Sequence, residues 1–221
     1  MRKISAALAL LAVCAGPALA AKPPKPVKPN PNLTIQASAT SVTFGRSVTI
    51  SGSVKNIPTG TTVDLQQNPY PYTGFRPTGK TAVVDPSGNY SIAGVVPTMH
   101  TQYRVVAKTS PPTTSGTVFV RVAVRVAFSV GTTHPRRGQM VRFYGTAAPA
   151  HDGKPVLIQK RTSTGSYRTV AQTVLLDNGT ATSKYSKRLR IRRSGTYRVI
   201  VESLDQDHDN GASRSRTLRV H

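Results

Sequence analysis

Gly45-Arg46-Ser47-Val48, closed by Ser51-Gly52, returns 93 residues later as Gly138-Gln139-Met140-Val141, closed by Tyr144-Gly145. A glycine opens each stretch as a turn residue, a hydrophobic residue follows at strand spacing, and a second glycine ends the run. The neighbouring segments repeat in step. Thr62-Val63-Asp64-Leu65-Gln66 corresponds to Pro155-Val156-Leu157-Ile158-Gln159, and Asn89-Tyr90-Ser91 to Lys184-Tyr185-Ser186. Thr101-Gln102-Tyr103-Arg104-Val105 corresponds to Gly195-Thr196-Tyr197-Arg198-Val199, and each half closes on an Arg-Val pair, Arg121-Val122 and Arg219-Val220. A near-constant offset over several segments is the mark of a tandem duplication.

From Leu33 onward, short alternating segments are separated by Gly, Pro, Asn, Asp and Ser clusters every 8–12 residues or so, and no stretch keeps a helical period. The first copy reads as seven strands, 33–38, 47–54, 62–67, 79–84, 89–95, 102–108 and 117–124. The second reads as 125–130, 139–146, 154–160, 167–175, 181–191, 196–203 and 213–220. Val105 with Ala107, Val199 with Val201, and Leu189 with Ile191 alternate with polar neighbours, so each strand buries one face. The expected fold class is all-β: two tandem seven-stranded immunoglobulin-like sandwiches, residues 33–124 and 125–221, joined almost without a linker. Each has the size of such a sandwich and suffices for one modest core.

The repeated x-Gly-x-x-Val-x-x-x-Gly-x pattern, the Gly88-Asn89-Tyr90-Ser91 turn and the Tyr-Arg-Val segments resemble bacterial immunoglobulin-like repeats of secreted surface proteins, especially Arg-rich actinobacterial exports. Tyr103 and Tyr197, two residues before Val105 and Val199, resemble a tyrosine corner in which valine stands where an antibody domain has its second cysteine. The likeness spans nearly all of the chain after the leader, although the antibody-type tryptophan and cysteines are absent. Asp85-Pro86-Ser87-Gly88-Asn89-Tyr90-Ser91 is also similar to transthyretin-like modules, a rival sandwich topology. Neither resemblance implies catalysis, and a sandwich by itself says little about function.

The 221 residues carry 30 Lys and Arg against 8 Asp and Glu, a formal net charge of +22, with no Trp and one cysteine. A single thiol, Cys14, excludes a disulfide framework and paired-cysteine metal sites. Met1-Arg2-Lys3, the apolar run from Ile4 to Val13 and the small-residue series Ala18-Leu19-Ala20-Ala21 make residues 1–21 a secretory signal peptide. That run falls short of the roughly 20 apolar residues a transmembrane helix needs, and no later segment qualifies. Val13 is bulkier than the residue a lipoprotein signal places before its cysteine, so Cys14 is read as part of the leader and not as a lipid anchor. Residues 22–32 place proline at nearly every second position among three lysines, which favours an extended spacer. The expected location is secreted, extracellular or associated with the cell wall.

The charge is uneven. Residues 33–124 hold seven Lys and Arg against two acids, whereas residues 125–221 hold eighteen against six. The densest run is Lys187-Arg188-Leu189-Arg190-Ile191-Arg192-Arg193. On a strand, Leu189 and Ile191 face inward while Arg188, Arg190 and Arg192 project together at a spacing of about 6.6 Å. Lys187, Arg188, Arg190, Arg192 and Arg193 form with Arg142 a candidate site for an anionic polymer, because guanidinium groups bind phosphates and carboxylates bidentately. The competing reading is compositional arginine on a solvated face. Plausible partners are an anionic cell-envelope polymer such as teichoic acid or an acidic glycan, or another surface protein. Nucleic acid is not expected for an exported chain.

Two smaller features stand out. Tyr70, Tyr72 and Phe75 lie among prolines in residues 68–77, where stiff aromatics either anchor a partner or fold over the sandwich. Asp205, Asp207 and Asp209 alternate like the start of a calcium loop, but Gly211 comes one place late and Arg216 stands where such a loop needs Glu. An acidic hairpin is therefore favoured over calcium, and no cofactor is expected. His100, His134, His151, His208 and His221 form no recognised metal motif, and no nucleophile-elbow or phosphate-loop pattern occurs. The functional expectation is a noncatalytic binding, adhesion or spacer protein, with an enzyme or enzyme-accessory module of unrecognised site as the alternative.

Overall fold

The computed structural model describes residues 32–203 and 205–221. The signal peptide expected over 1–21, Cys14, and the spacer through residue 31 lie outside the described residues. Within them there is no helix. The first half runs through β1 (Gln36–Ala37), β2 (Ser41–Thr43), β3 (Val48–Ser53), β4 (Thr62–Pro69), β5 (Arg76–Val83), β6 (Asn89–Val95), β7 (Thr101–Ala107), β8 (Thr113–Thr114) and β9 (Val118–Ala123). The second runs through β10 (Arg125–Val126), β11 (Ser129–Val130), β12 (Gln139–Ala148), β13 (Pro155–Arg161), β14 (Tyr167–Val174), β15 (Leu176–Asp177), β16 (Ser183–Ile191), β17 (Gly195–Val201), β18 (Gly211–Ala212) and β19 (Arg216–Leu218).

Alternation drives these strands into two sandwiches. Along β7, Thr101, Tyr103, Val105 and Ala107 are buried while their neighbours are half-exposed, and β17 repeats this with Tyr197, Val199 and Val201. In the first half the sheet β1-β3-β6 faces the sheet β2-β9-β7-β4-β5, and the buried residues between them form one cluster running from Leu33 to Val120. In the second half β10 and β11 with β12-β16-β15 face β14-β13-β17 with β18 and β19, enclosing a separate cluster from Val124 to Leu218.

Two details depart from the expected strands. The opening strand of the first half splits: β1 pairs with β3, then β2 crosses to run parallel with β9. The fourth strand, β5, pairs with β4 and not with β6, and β14 likewise pairs with β13. Their burial patterns explain this, since both are mostly exposed edge strands that gain most from the nearest hairpin partner. A constant-type arrangement would have put that strand beside β6 and β16. Only β15, two residues long, reaches that edge in the second half.

The repeated residues turn out to be structural devices. Gly52 lies opposite Tyr90, and Gly145 opposite Tyr185. The tyrosine hydroxyls pass over these glycines and donate to Thr34 O (2.5 Å), just before β1, and Ala127 O (2.7 Å), just after β10. A Cβ on Gly52 would stand 2.2 Å from Thr34 O, and one on Gly145 2.0 Å from Ala127 O, so only glycine fits. The hydroxyl-to-carbonyl bonds are made by Tyr90 and Tyr185, while Tyr103 and Tyr197, the residues that resemble a tyrosine corner in the sequence, fill the cores. The arginine of each Tyr-Arg-Val segment is equally fixed. Arg104 Nε donates to Gln66 Oε1 (2.7 Å) with its guanidinium 4.2 Å from the Phe75 ring centre. Arg198 Nε donates to Gln159 Oε1 (2.9 Å) and lies 4.0 Å over Tyr167.

The halves meet along a short backbone seam. Ala123 pairs in parallel with Asp209, through Val124 N–H donating to Asp209 O (3.0 Å) and Asp209 N–H donating to Val122 O (2.8 Å). His100 N–H donates to Asp207 O (2.8 Å), and the Arg121 guanidinium pairs with the Asp209 carboxylate. Val122 N–H donates to His100 Nδ1 (3.0 Å), so that ring is the neutral tautomer with hydrogen on Nε2. Burial pushes the His100 pKa down despite the nearby Asp209 carboxylate. Its Nε2 stands 3.6 Å from Asp209 Oδ1, too long for a hydrogen bond.

Candidate functional site

The ladder between β12 and β16 places Arg142 directly opposite Arg188, Met140 opposite Arg190, and Tyr144 opposite Ser186. Because side chains alternate across a sheet, these residues share its outer face with Lys184, while Val141, Phe143, Tyr185, Leu189 and Ile191 point to the core side. Directly opposed like charges disfavour a sheet. Here no acid relieves them: among the described residues, Lys154 is the only lysine or arginine of residues 125–221 with a carboxylate partner, Asp205. Arg142 is held by neutral groups instead. Its Nε donates to Ser186 Oγ (2.9 Å), and its guanidinium lies 4.8 Å over the Tyr144 ring.

Beside this row, Arg142, Tyr144, Lys184 and Ser186 line a cleft of about 410 Å³ floored by Gly145 and Tyr185, with Leu176 on its rim. The same position in the first half, over Gly52 and Tyr90, is a cleft of about 410 Å³ lined by Thr34, Gln36, Ser51, Ser53 and Asn89. Arg192 and Arg193 lie past the end of β16 and do not continue the row. They join Arg190, Lys160 and Tyr197 around a second cleft of about 290 Å³, at the open edge between the two sheets. The Lys160 ammonium sits 5.5 Å over the Tyr197 ring, and burial, reinforced by Arg168 and Arg193, lowers its pKa. Lys187 is opposite Phe143, on the other parity of β16, and is exposed there. The sequence run thus divides: Arg188 and Arg190 join Arg142 in an outer row, Arg192 and Arg193 join Arg190 in an edge group, and Lys187 belongs to neither. Tyr144, Lys184 and Leu176 complete the outer cleft. Only the cross-strand register discloses them, because they lie on three different strands.

The other sequence candidates are placed as follows. Tyr70, Tyr72 and Phe75 are half-buried: Tyr70 meets Tyr72 edge-on (5.6 Å), Tyr72 meets Phe119 (6.0 Å), and Phe75 supports Arg104. Asp205, Asp207 and Asp209 do not converge on one point. Asp205 pairs with Lys154 (2.6 Å), Asp207 faces His208 (3.1 Å), and Asp209 turns to Arg121. Among the described residues, the one group whose ligand atoms come together is His151, Asp207 and His208. Sequence reasoning missed it because His151 is remote in sequence from the other two.

No family model and no curated protein matches the chain. Among solved structures, a tetra-tandem repeat from the extending region of a large adhesion protein is similar over 84% of this chain and 48% of its own, at 16% identity and a TM-score of 0.38. The Yersinia pseudotuberculosis adhesin InvE is similar over 85% and 58%, at 13% identity and 0.36. A DUF4785 family protein from Legionella pneumophila is similar over 84% and 55%, at 8% identity and 0.44. The chain therefore spans about half the length of these proteins. The all-β fold rests on the strand pairing itself. No helix among the described residues is long and apolar enough to cross a membrane.

Proposed function

We propose that the chain is a noncatalytic module of the cell surface or extracellular space, built from two sandwich domains, 33–124 and 125–221. In this reading the second domain holds an anionic polymer on the outer face of β12 and β16. The observation that carries it is the directly opposed, acid-free pair Arg142 and Arg188, continued by Arg190 along one strand. A scaffold that needed only solubility gains nothing from facing two guanidinium groups across a ladder, whereas a polymer with repeated phosphates or carboxylates removes the repulsion it creates. Tyr144, stacked under Arg142, adds a flat surface suited to a sugar ring. The adhesion and extension roles printed for two of the similar structures suit such a module.

The test is retention of the untagged chain on immobilised teichoic acid at rising salt. Wild type should elute late, with affinity falling steeply as salt screens the contacts. Arg142→Glu/Arg188→Glu/Arg190→Glu should elute much earlier than Lys55→Glu/Arg76→Glu/Lys80→Glu, which changes net charge equally in the first domain. Equal loss in both variants would overturn the site and leave only a net-charge effect.

A further inference from the structure

We infer that His151, Asp207 and His208 form a binding site for a zinc-class divalent transition ion, set in the seam between the two sandwiches. One ligand atom from each of the three lies within 4.8 Å of the others. Both rings are buried, His151 8% and His208 5% exposed, so this is not a chance surface grouping.

Hydrogen bonding fixes which nitrogens are available. His208 Nε2 lies 2.8 Å from Thr98 O, and His151 Nδ1 lies 2.9 Å from Pro149 O. A carbonyl oxygen only accepts, so each of these nitrogens carries the hydrogen. In the neutral rings, the lone pairs are then on His208 Nδ1 and His151 Nε2. This is the arrangement by which metal-binding histidines are held in place: the far N–H is given to a carbonyl and the near nitrogen is kept for the ion. The backbone of His151 is itself pinned, its N–H donating to Ser183 Oγ (2.7 Å).

The near side of His208 is otherwise unaccounted for. Its Nδ1 stands 3.1 Å from Asp207 Oδ2, so in the neutral ring a lone pair faces a carboxylate. Neither His208 Nδ1 nor Asp207 Oδ1 has a hydrogen-bond partner, although both are fully buried atoms. A cation shared by both groups resolves this. Bonds of about 2.0–2.1 Å in a tetrahedral zinc site put neighbouring ligand atoms roughly 3.3 Å apart, close to the separation of this pair. Two imidazoles and one carboxylate favour zinc over calcium, which takes oxygen ligands in greater number.

The position gives the ion a task. His208 reaches Thr98 O across the seam, Asp207 O receives His100 N–H, and the Phe44 ring lies 6.1 Å from the His208 ring. All three contacts come from the first sandwich. An ion that fixes residues 207 and 208 therefore fixes the docking of one sandwich on the other.

The experiment is calorimetric titration of the untagged, metal-stripped full chain with zinc, with calcium and magnesium as separate titrants. One zinc per chain is expected, with no heat from the other two. Nitrogen shifts of His151 and His208 should move on zinc addition, while those of His134 and His221 stay in place. Asp207→Asn and His151→Gln should each weaken binding at least tenfold. If either variant fails to fold, the histidine shifts of the wild type decide. Absence of zinc binding, undiminished affinity in both folded variants, or shifts confined to His134 and His221 would overturn the site.

Discussion

The two sandwiches share their internal devices and differ on one outer face. Gly52 under Tyr90 and Gly145 under Tyr185 are the same solution to the same close approach, down to the carbonyl that receives the hydroxyl. The Gln66–Arg104–Phe75 and Gln159–Arg198–Tyr167 stacks match as well, and Ser115 and Ser213 accept the equivalent N–H groups of Val105 and Val199. Above the glycines, the copies part. Counting along the strands from the glycine–tyrosine pair, Thr49 and Ala93 stand in the first half where Arg142 and Arg188 stand in the second, but there a register shift between Val48 and Ile50 interrupts the ladder that β12 and β16 keep unbroken. The core has moved too, with fully buried Ile50 in the place of Phe143, whose ring packs on Phe128 at 5.7 Å and Tyr197 at 5.2 Å. The difference teaches that the scaffold rests on the glycine–tyrosine pair and tolerates either surface. The guanidinium groups were added to a fold that does not require them.

The largest expected effect breaks what the copies share. Gly145→Val would drive a side chain into Ala127 O and the Tyr185 hydroxyl, and Gly52→Val into Thr34 O and Tyr90. Overpacking costs up to about 3 kcal/mol and more where the obstacle is backbone. Against a domain stability of about 5–15 kcal/mol, that loss is large. In scanning calorimetry each variant should lower the transition of its own core and leave the other in place. Equal shifts of both transitions would show that the seam couples the cores and that they are not thermodynamically separate.

A middle effect compares the two hydroxyls. Tyr90→Phe and Tyr185→Phe each remove one donor from a carbonyl, at about 1 kcal/mol near pH 8. Burial raises both phenol pKa values far above their usual value, and raises Tyr103 to about 12. The folded state thus holds protons that the unfolded chain releases near pH 10, so wild-type stability is full below that pH and falls as pH rises through it. The Phe variants lack that loss. The gap between wild type and variant in urea denaturation should therefore narrow between pH 8 and pH 11, and a gap that widens would contradict the assigned burial.

Much of this was legible in the chain because duplication prints each constraint twice. Period-two alternation located the strands, β6 from Asn89 to Val95 without error, and the charge count located the asymmetric half. The choice of β5 and β14 as partners of β4 and β13 was not legible, since an exposed edge strand has no buried face to declare its neighbour. The site was half-legible. Lys184, Arg188 and Arg190 alternate visibly on one strand, but Arg142, Tyr144 and Leu176 are joined to them only by register. Arg192 and Arg193 look continuous with the row and leave it because β16 ends at Ile191. The histidine pair was silent, because no sequence spacing ties residue 151 to residue 208.

The smallest expected change in stability is also the sharpest test of the comparison. Thr49→Arg/Ala93→Arg would write the second copy's arginines onto the first copy's outer face, at neighbouring positions that the register shift between Val48 and Ile50 keeps out of direct opposition. Ser91 occupies the place of Ser186, so a hydroxyl is available to hold the new arginine, although Ser51 stands in the place of Tyr144 and offers no ring to stack on. Like charges set close together on one sheet face are destabilising, by an amount on the order of 1 kcal/mol or less, a loss that the shared core should absorb. If two neighbouring arginines on this face alone make an anion site, the double variant should be retained more strongly on an anionic matrix than a variant with two arginines placed apart in the same half. If the ring under the arginine is also needed, retention of the two will be equal, and adding Ser51→Tyr should separate them. No separation after that third change would mean that the second half binds through its total charge and not through the arrangement of β12 and β16.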